Sequence, residues 1–191
     1  MRIVGGELKG RIFSKKLPNG VRPTSELVRE SLFNILQNLI DFDSINVLDI
    51  CAGTGALGIE SISRGAAKCT FIDSNHKVCS LIKEILTTFK INNDSYHVIN
   101  YDATKLFNNK TIFGENEKFN LIFLDPPYLA EMYDKTLSDL TKANILNNDA
   151  IVVVEYGHNV KFEIPAYFNV LKEKKYGDSS ILILEIASEN V

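Results

Sequence analysis

The chain has 191 residues, 45% hydrophobic and 24% charged, which is the composition of one large soluble domain with a sizeable core. No apolar run approaches the ~20 residues of a membrane span, and Met1-Arg2-Ile3-Val4-Gly5-Gly6 has no signal-peptide core, so no membrane partner and a cytoplasmic protein are expected. Cys51, Cys69 and Cys79 show no C-x-x-C pairing and His76, His97 and His158 are scattered, which excludes a disulfide framework and leaves no metal site to expect.

The net charge of −3 conceals an asymmetry. Residues 1–29 carry seven basic side chains (Arg2, Lys9, Arg11, Lys15, Lys16, Arg22, Arg29) against Glu7 and Glu26, so the rest of the chain sums to −8. A basic arm on an acidic body suits a polyanion, because Lys and Arg gain affinity by releasing the counterions condensed on phosphates; a charge run can equally be a solvated face.

In chain order, Arg2-Ile3-Val4 and Gly10-Arg11-Ile12-Phe13 read as a small hairpin or extended arm. Thr24 or Ser25 caps a helix whose Val28, Leu32, Ile35, Leu36 and Leu39 form one apolar stripe. Ile45 to Gly58 then reads as a strand, a glycine loop and a helix start, the helix ending at Gly65. Thr70-Phe71-Ile72-Asp73 is a second strand. Ser74 caps a long helix through Val78, Leu81, Ile82, Ile85 and Phe89. Tyr96 to Ile99 is a third strand closing on Asp102, and 104–118 is loop with a helical turn. Tyr133, Leu137 and Leu140 mark another helix, Ala150 to Glu155 a buried strand, and Val170-Leu171 with Ile181 to Leu184 a closing antiparallel hairpin. With no repeat or linker, one domain spans 1–191, with 1–22 as the arm and 23–191 as the core.

Between these lies Asn120-Leu121-Ile122-Phe123-Leu124-Asp125-Pro126-Pro127-Tyr128. The apolar run suits a strand buried on both faces of a parallel sheet. Two prolines cannot donate ladder hydrogen bonds and each restrains the residue before it, so Asp125 to Tyr128 form a stiff arch beyond the strand. The arch offers a carboxylate, main-chain carbonyls and an aromatic ring, a set that complements the N–H donors and π face of a base carrying an exocyclic amine. A plain strand-ending turn is the alternative.

Alternating strands and helices imply a doubly wound sheet with ligands at the carboxyl ends of its strands. Asp49, Asp73, Asp102 and Asp125 all fall at or just inside such ends. Gly53-x-Gly55-x-x-Gly58 followed by Asp73 formally satisfies the dinucleotide fingerprint, so a nicotinamide or flavin enzyme has to be weighed. Asp49 just before the loop would face a pyrophosphate badly, and the Asp-Pro-Pro-Tyr arch has no part in hydride transfer. Both are natural if the ligand is S-adenosylmethionine, with its ammonium, sulfonium, ribose and adenine.

Asp49-Ile50-Cys51-Ala52-Gly53-Thr54-Gly55 resembles the cofactor loop of class I methyltransferases, and Asp125-Pro126-Pro127-Tyr128 their amino-methylating signature. Further, Arg2-Ile3-Val4-Gly5-Gly6 with Lys9-Gly10-Arg11, Arg22-Pro23-Thr24 with Val28-Arg29-Glu30-Ser31-Leu32-Phe33-Asn34, and Gly55-Ala56-Leu57-Gly58-Ile59-Glu60 with Ser63-Arg64-Gly65-Ala66 resemble the bacterial 16S ribosomal RNA guanine-N2 methyltransferases of the RsmD type. The likeness runs from Met1 to Tyr176-Gly177; Asp73 stands where that family often has Glu, and Cys51 to Gly55 where its loop often reads Phe-Ala-Gly-Ser-Gly.

The resemblance implies a Rossmann-like class I methyltransferase fold: a seven-stranded, mostly parallel α/β sheet with a C-terminal antiparallel hairpin and a short N-terminal basic arm. It implies methylation of a guanine N2 amine in 16S rRNA within an assembling small ribosomal subunit. Asp125, Pro126, Pro127 and Tyr128 would carry catalysis: Asp125 and the Pro126 carbonyl accept from the amine, and Tyr128 stacks on the turned-out base. Asp49 and the loop backbone Ala52, Gly53, Thr54 and Gly55 would face the methionine part of the cofactor, Asp73 the ribose and Asp102 the adenine amine, with Cys51, Ser74 and Ala103 also in the cofactor site. Arg2, Lys9, Arg11, Arg22 and Arg29 would hold RNA phosphates. A DNA adenine-N6 methylase and a catalytically silent RNA-binding assembly factor are the alternatives. The first lacks a separate target-recognition region here, and the second has no need of Asp125 or the glycine loop.

Overall fold

The computed structural model of the chain describes residues 1–15, 17–18, 24–108, 112–126 and 130–187. Apolar runs rich in Ile, Leu, Val and Phe form five parallel strands, β1 (Asn46–Ile50), β2 (Lys68–Asp73), β3 (Tyr96–Asn100), β4 (Phe119–Leu124) and β5 (Leu146–Gly157). β7 (Ser179–Ile186) runs antiparallel between β5 and β6 (Phe168–Tyr176), and the sheet order is β3-β2-β1-β4-β5-β7-β6. The chain therefore winds outward in opposite directions from β1 and β4, and the crevice beyond their carboxyl ends is where such sheets bind ligands.

Strand residues alternate between two cores. Val47, Phe71, Phe123, Val153 and Ile181 face α1 (Glu26–Leu36), α2 (Ala56–Ser63) and α3 (His76–Thr88), while Leu48, Ile72, Leu124, Val154 and Leu182 face α4 (Ala130–Lys142) through Tyr133, Leu137 and Leu140. The same alternation carried outward puts Asp49, Asp73, Asp125 and Glu155 on the α1–α3 face.

Most expected elements are present, including the closing hairpin and a 3-10 helix over Ala103–Asn108. Ser25 caps α1, its hydroxyl accepting from Val28 N–H at 3.2 Å. At α3 the cap is Asn75 and not Ser74: Asp73 Oδ1 takes the Asn75 N–H at 2.8 Å, which delays the helix by one residue and leaves Ser74 exposed. β5 begins earlier than expected, at Leu146, because an irregularity between Phe119 and Leu121 lets polar Asn147 to Asp149 pass along the edge of the ladder.

The arm makes one antiparallel bridge, Arg2 to Ile12, and buries Ile3 and Phe13. It is pinned to the far end of α2. Val4 N–H donates to Glu60 Oε2 at 3.0 Å, Leu8 N–H to Ser63 Oγ at 2.9 Å and Ser63 Oγ to the Gly5 carbonyl at 2.6 Å. Arg64 pairs with Glu60 at 3.1 Å and lies over the Phe33 ring, closing the joint between arm, α1 and α2. Among the described residues no helix is long and apolar enough to cross a membrane.

Candidate active site

The carboxyl end of the sheet carries a row of oxygen acids on one face. Asp49 is deepest, 2% exposed, and accepts the Gly58 N–H at 3.1 Å in the first turn of α2, where the helix leaves that donor without a backbone partner. Burial, opposed by this hydrogen bond and assisted by the Asp73 charge, pushes Asp49 up to about 7. Asp73 stands at the end of β2, its Oδ2 accepting from Gly53 N–H at 3.1 Å, so that the glycine loop is tied to the neighbouring strand. Burial also raises the pKa of Asp73, against hydrogen bonds from Asn75 and Gly53.

Between them the loop turns left-handed at alternate residues: Cys51 (φ 62°), Gly53 (φ 53°) and Gly55 (φ 68°). Gly55 is the N-cap of α2 with no side-chain cap, and a Cβ there would press on Phe71 and Ile82 at 3.2–3.3 Å. The loop consequently presents bare amides at a helix start. A cleft lined by Thr24, Asp49, Cys51, Ala52, Gly53, Thr54, Ala56, Leu57 and Asp125 opens at this point.

Asp125 is half-buried directly beyond β4, its N–H donating to the Ile50 carbonyl at 3.3 Å. Burial, then the Glu155 and Asp49 charges, hold its carboxyl well above the usual range. Pro126 is buried, and the Tyr133 hydroxyl lies 3.4 Å from its carbonyl and 3.2 Å from that of Glu155. Tyr133 stacks on Phe162 with ring centroids 4.8 Å apart, so α4 braces the base of the arch. Pro127 and Tyr128 lie outside the described residues.

The structure thus brings Asp49, Asp73, Asp125, Cys51, Ala52, Gly53, Thr54 and Gly55 to one crevice. Asp102 and Ala103 sit on the β3 side. The Asp102 Oδ1 accepts both the N–H and the hydroxyl of Thr104, at 2.9 and 2.7 Å, and those bonds lower its pKa. The basic residues are dispersed. Arg2, Lys9 and Arg11 are exposed, with Arg11 donating to the Phe89 carbonyl just past α3, and the arm lies at the end of α2 about 12 Å from the loop, at 1.5 Å per helical residue. Arg29 is not a surface contact: it is 1% exposed, its Nη2 donates to the Arg2 carbonyl and burial lowers its pKa. Arg22 lies outside the described residues.

Sequence reasoning missed Glu155, Ser179, Thr24 and Tyr133. Glu155 follows the apolar run from Ala150 to Val154 much as Asp125 follows Leu121 to Leu124, so a signal was there, although β5 continues to Gly157. Ser179 Oγ donates to Glu155 Oε1 at 3.2 Å from the antiparallel strand, a pairing visible only once β7 is placed against β5.

Three features suit S-adenosylmethionine. The carboxylates of Asp49 and Asp125 lining the cleft complement a cation, the uncapped α2 start complements a carboxylate, and Asp73 keeps acceptor capacity for hydroxyls beside a loop that a Cβ would crowd at Gly55. A pyrophosphate would meet the acidic row instead. The fold and this row define a class I S-adenosylmethionine-dependent methyltransferase.

Comparison with known proteins narrows the class. The profile of the family described as "Conserved hypothetical protein 95" matches residues 1–185, and the chain belongs to that family. It is 32% identical to the ribosomal RNA small subunit methyltransferase D of Haemophilus influenzae, over 93% of this chain and 89% of that one. It is 33% identical to the protein of the same name in Escherichia coli strain K12, over 93% of this chain and 85% of the relative. A solved Escherichia coli structure, described as a candidate methyltransferase, is 31% identical with a TM-score of 0.84, covering 98% of each chain.

Proposed function

We propose that this protein transfers a methyl group from S-adenosylmethionine to the N2 amine of a guanine in 16S ribosomal RNA, in the cytoplasm and on an assembling small subunit. The observation that carries the reading is Asp125 at the end of β4, in the cleft that the glycine loop lines, with the braced Pro126 carbonyl next to it. The relatives named for small-subunit rRNA methylation support the substrate class.

The cofactor, when bound, supplies an electrophilic methyl on a sulfonium. Asp49 and the loop amides from Ala52 to Gly55 hold its amino-acid end, Asp73 with Ser74 its ribose, and Asp102 with Ala103 its adenine. A guanine amine is a poor nucleophile, since its lone pair is delocalised into the ring. Asp125 and the Pro126 carbonyl accept its two N–H bonds, favour a pyramidal nitrogen and localise the pair toward the methyl. Asp125 also offsets the positive charge that develops on the nitrogen, and Tyr128 stacks on the base. Exposed Arg2, Lys9 and Arg11 meet phosphates of a substrate large enough to extend past the arm.

Tritiated S-adenosylmethionine supplied with small subunits, naked rRNA and duplex DNA tests the reading. Label on ribosomal RNA, recovered as an N2-methylated guanine nucleoside, is expected; label on DNA adenine, or none, would overturn it.

A further inference from the structure

Glu155 is the acidic group in the row that the reaction as derived leaves idle. Leu124 pairs with Val154 across the parallel ladder, so the next residues, Asp125 and Glu155, stand side by side. Phe123 and Val153 face the α1–α3 core, so two residues on, both carboxyl groups leave the sheet on that same side. Both backbones are held together from behind, by the Tyr133 hydroxyl reaching the carbonyls of Pro126 and Glu155. Glu155 Oε1 accepts from Ser179 Oγ at 3.2 Å, whereas Oε2 is buried with no hydrogen-bond partner among the described residues.

We propose that Glu155 is a positioning residue for Asp125: the two adjacent carboxyl groups share one proton, and the charge that Glu155 carries beside Asp125 sets the pH above which Asp125 presents a carboxylate to the substrate amine. This rests on the methyl-transfer reading above for its purpose but not for its physics. Two adjacent carboxylates in a poorly solvated site cannot both be charged cheaply, and the proton one of them keeps belongs to the pair. Glu155 from β5 and Asp49 from β1 add negative charge to Asp125, while the hydroxyls of Ser179 on β7 and Thr24 before α1 favour the ionised form of Glu155; among the described residues no Lys, Arg or His contributes. Burial raises the proton affinity of both members.

In the reaction, the bond from methyl carbon to guanine nitrogen forms as the carbon–sulfur bond breaks and leaves its electron pair on sulfur. The nitrogen then carries a surplus proton, which passes to the Asp125 carboxylate and from there to water. Glu155, accepting from the Ser179 hydroxyl, stays ionised throughout. Its presence sets the pH above which Asp125 is ready to accept.

The test is a carbon-13 carboxyl NMR titration of the free protein, paired with a pH–rate profile, for wild type and Glu155→Gln. The amide is neutral at every pH and keeps an oxygen for Ser179. In the wild type, the Asp125 and Glu155 signals should move together in two steps. In Glu155→Gln, Asp125 should titrate in one step at least about one pH unit lower, and the acid limb of kcat/KM should follow while the alkaline plateau stays within a few-fold. Ser179→Ala, which removes a donor to the Glu155 carboxylate, should move the pair's upper step the other way and supplies the answer if Glu155→Gln unfolds. An Asp125 titration unchanged in Glu155→Gln, or in that case an upper step unmoved in Ser179→Ala, overturns the inference. Absence of methyl transfer by wild type, with the shared titration intact, would refute the proposed function and leave the proton sharing standing.

Discussion

Replacing Asp49 by asparagine should make the protein more stable at neutral pH and poorer at holding its cofactor. The side chain is 2% exposed and its carboxyl is pushed from 3.8 up to about 7, chiefly by burial. Between those values the folded protein keeps a proton that the unfolded chain has released, so stability falls as pH rises through the window and levels off above pH ~7. At about 1.4 kcal/mol per unit, the loss between pH ~5 and pH ~8 is at most about 3 kcal/mol. Asparagine has no charge to uncover and still offers an oxygen to Gly58 N–H. Urea unfolding of both proteins at pH 5, 6, 7 and 8 without cofactor should give ΔG curves that diverge with rising pH, the variant becoming the more stable. Saturating S-adenosylmethionine should flatten the wild-type slope, because a bound cation favours the ionised carboxyl. Parallel curves would refute the burial argument, and undiminished cofactor affinity in the variant would remove Asp49 from the binding site.

Asp73→Ala should weaken cofactor binding about tenfold or more, since it removes the hydroxyl acceptor and unties Gly53 from β2; calorimetry showing equal affinity would exclude it. Gly58→Ala would set a Cβ 2.3 Å from Phe71 Cε1 and 2.5 Å from Cys69 Sγ, and thermal unfolding should show a loss of about 1–3 kcal/mol. Arg29→Met should lower stability by about 1–3 kcal/mol through the lost bond to the Arg2 carbonyl. Its RNA affinity per folded molecule should be unchanged in filter binding, whereas a phosphate contact would show the reverse pattern.

The parallel strands were legible because residues buried on both faces must be apolar throughout, as Val47-Leu48 and Leu121 to Leu124 are, and because the glycine loop and double proline punctuate them. The position of the acidic row followed from the rule that such strands end at one edge. What the sequence could not convey was the destination of long side chains. Arg29 reads as one more cation of a basic arm, yet the arm folds back over α1 and buries it. Glu155 was passed over for a related reason: its importance lies in standing beside Asp125, and adjacency of β4 and β5 is a fact of sheet order. Ser74 lost the capping position because the Asp73 carboxylate competes for the next N–H.

The central claim is that Asp125 makes the target amine nucleophilic, and methyl transfer by Asp125→Ala measures it most directly. With cofactor affinity checked by calorimetry in the same preparation, the initial rate on small subunits should fall at least about a hundredfold while the dissociation constant for S-adenosylmethionine changes little. A variant that keeps most of the wild-type rate would contradict the account.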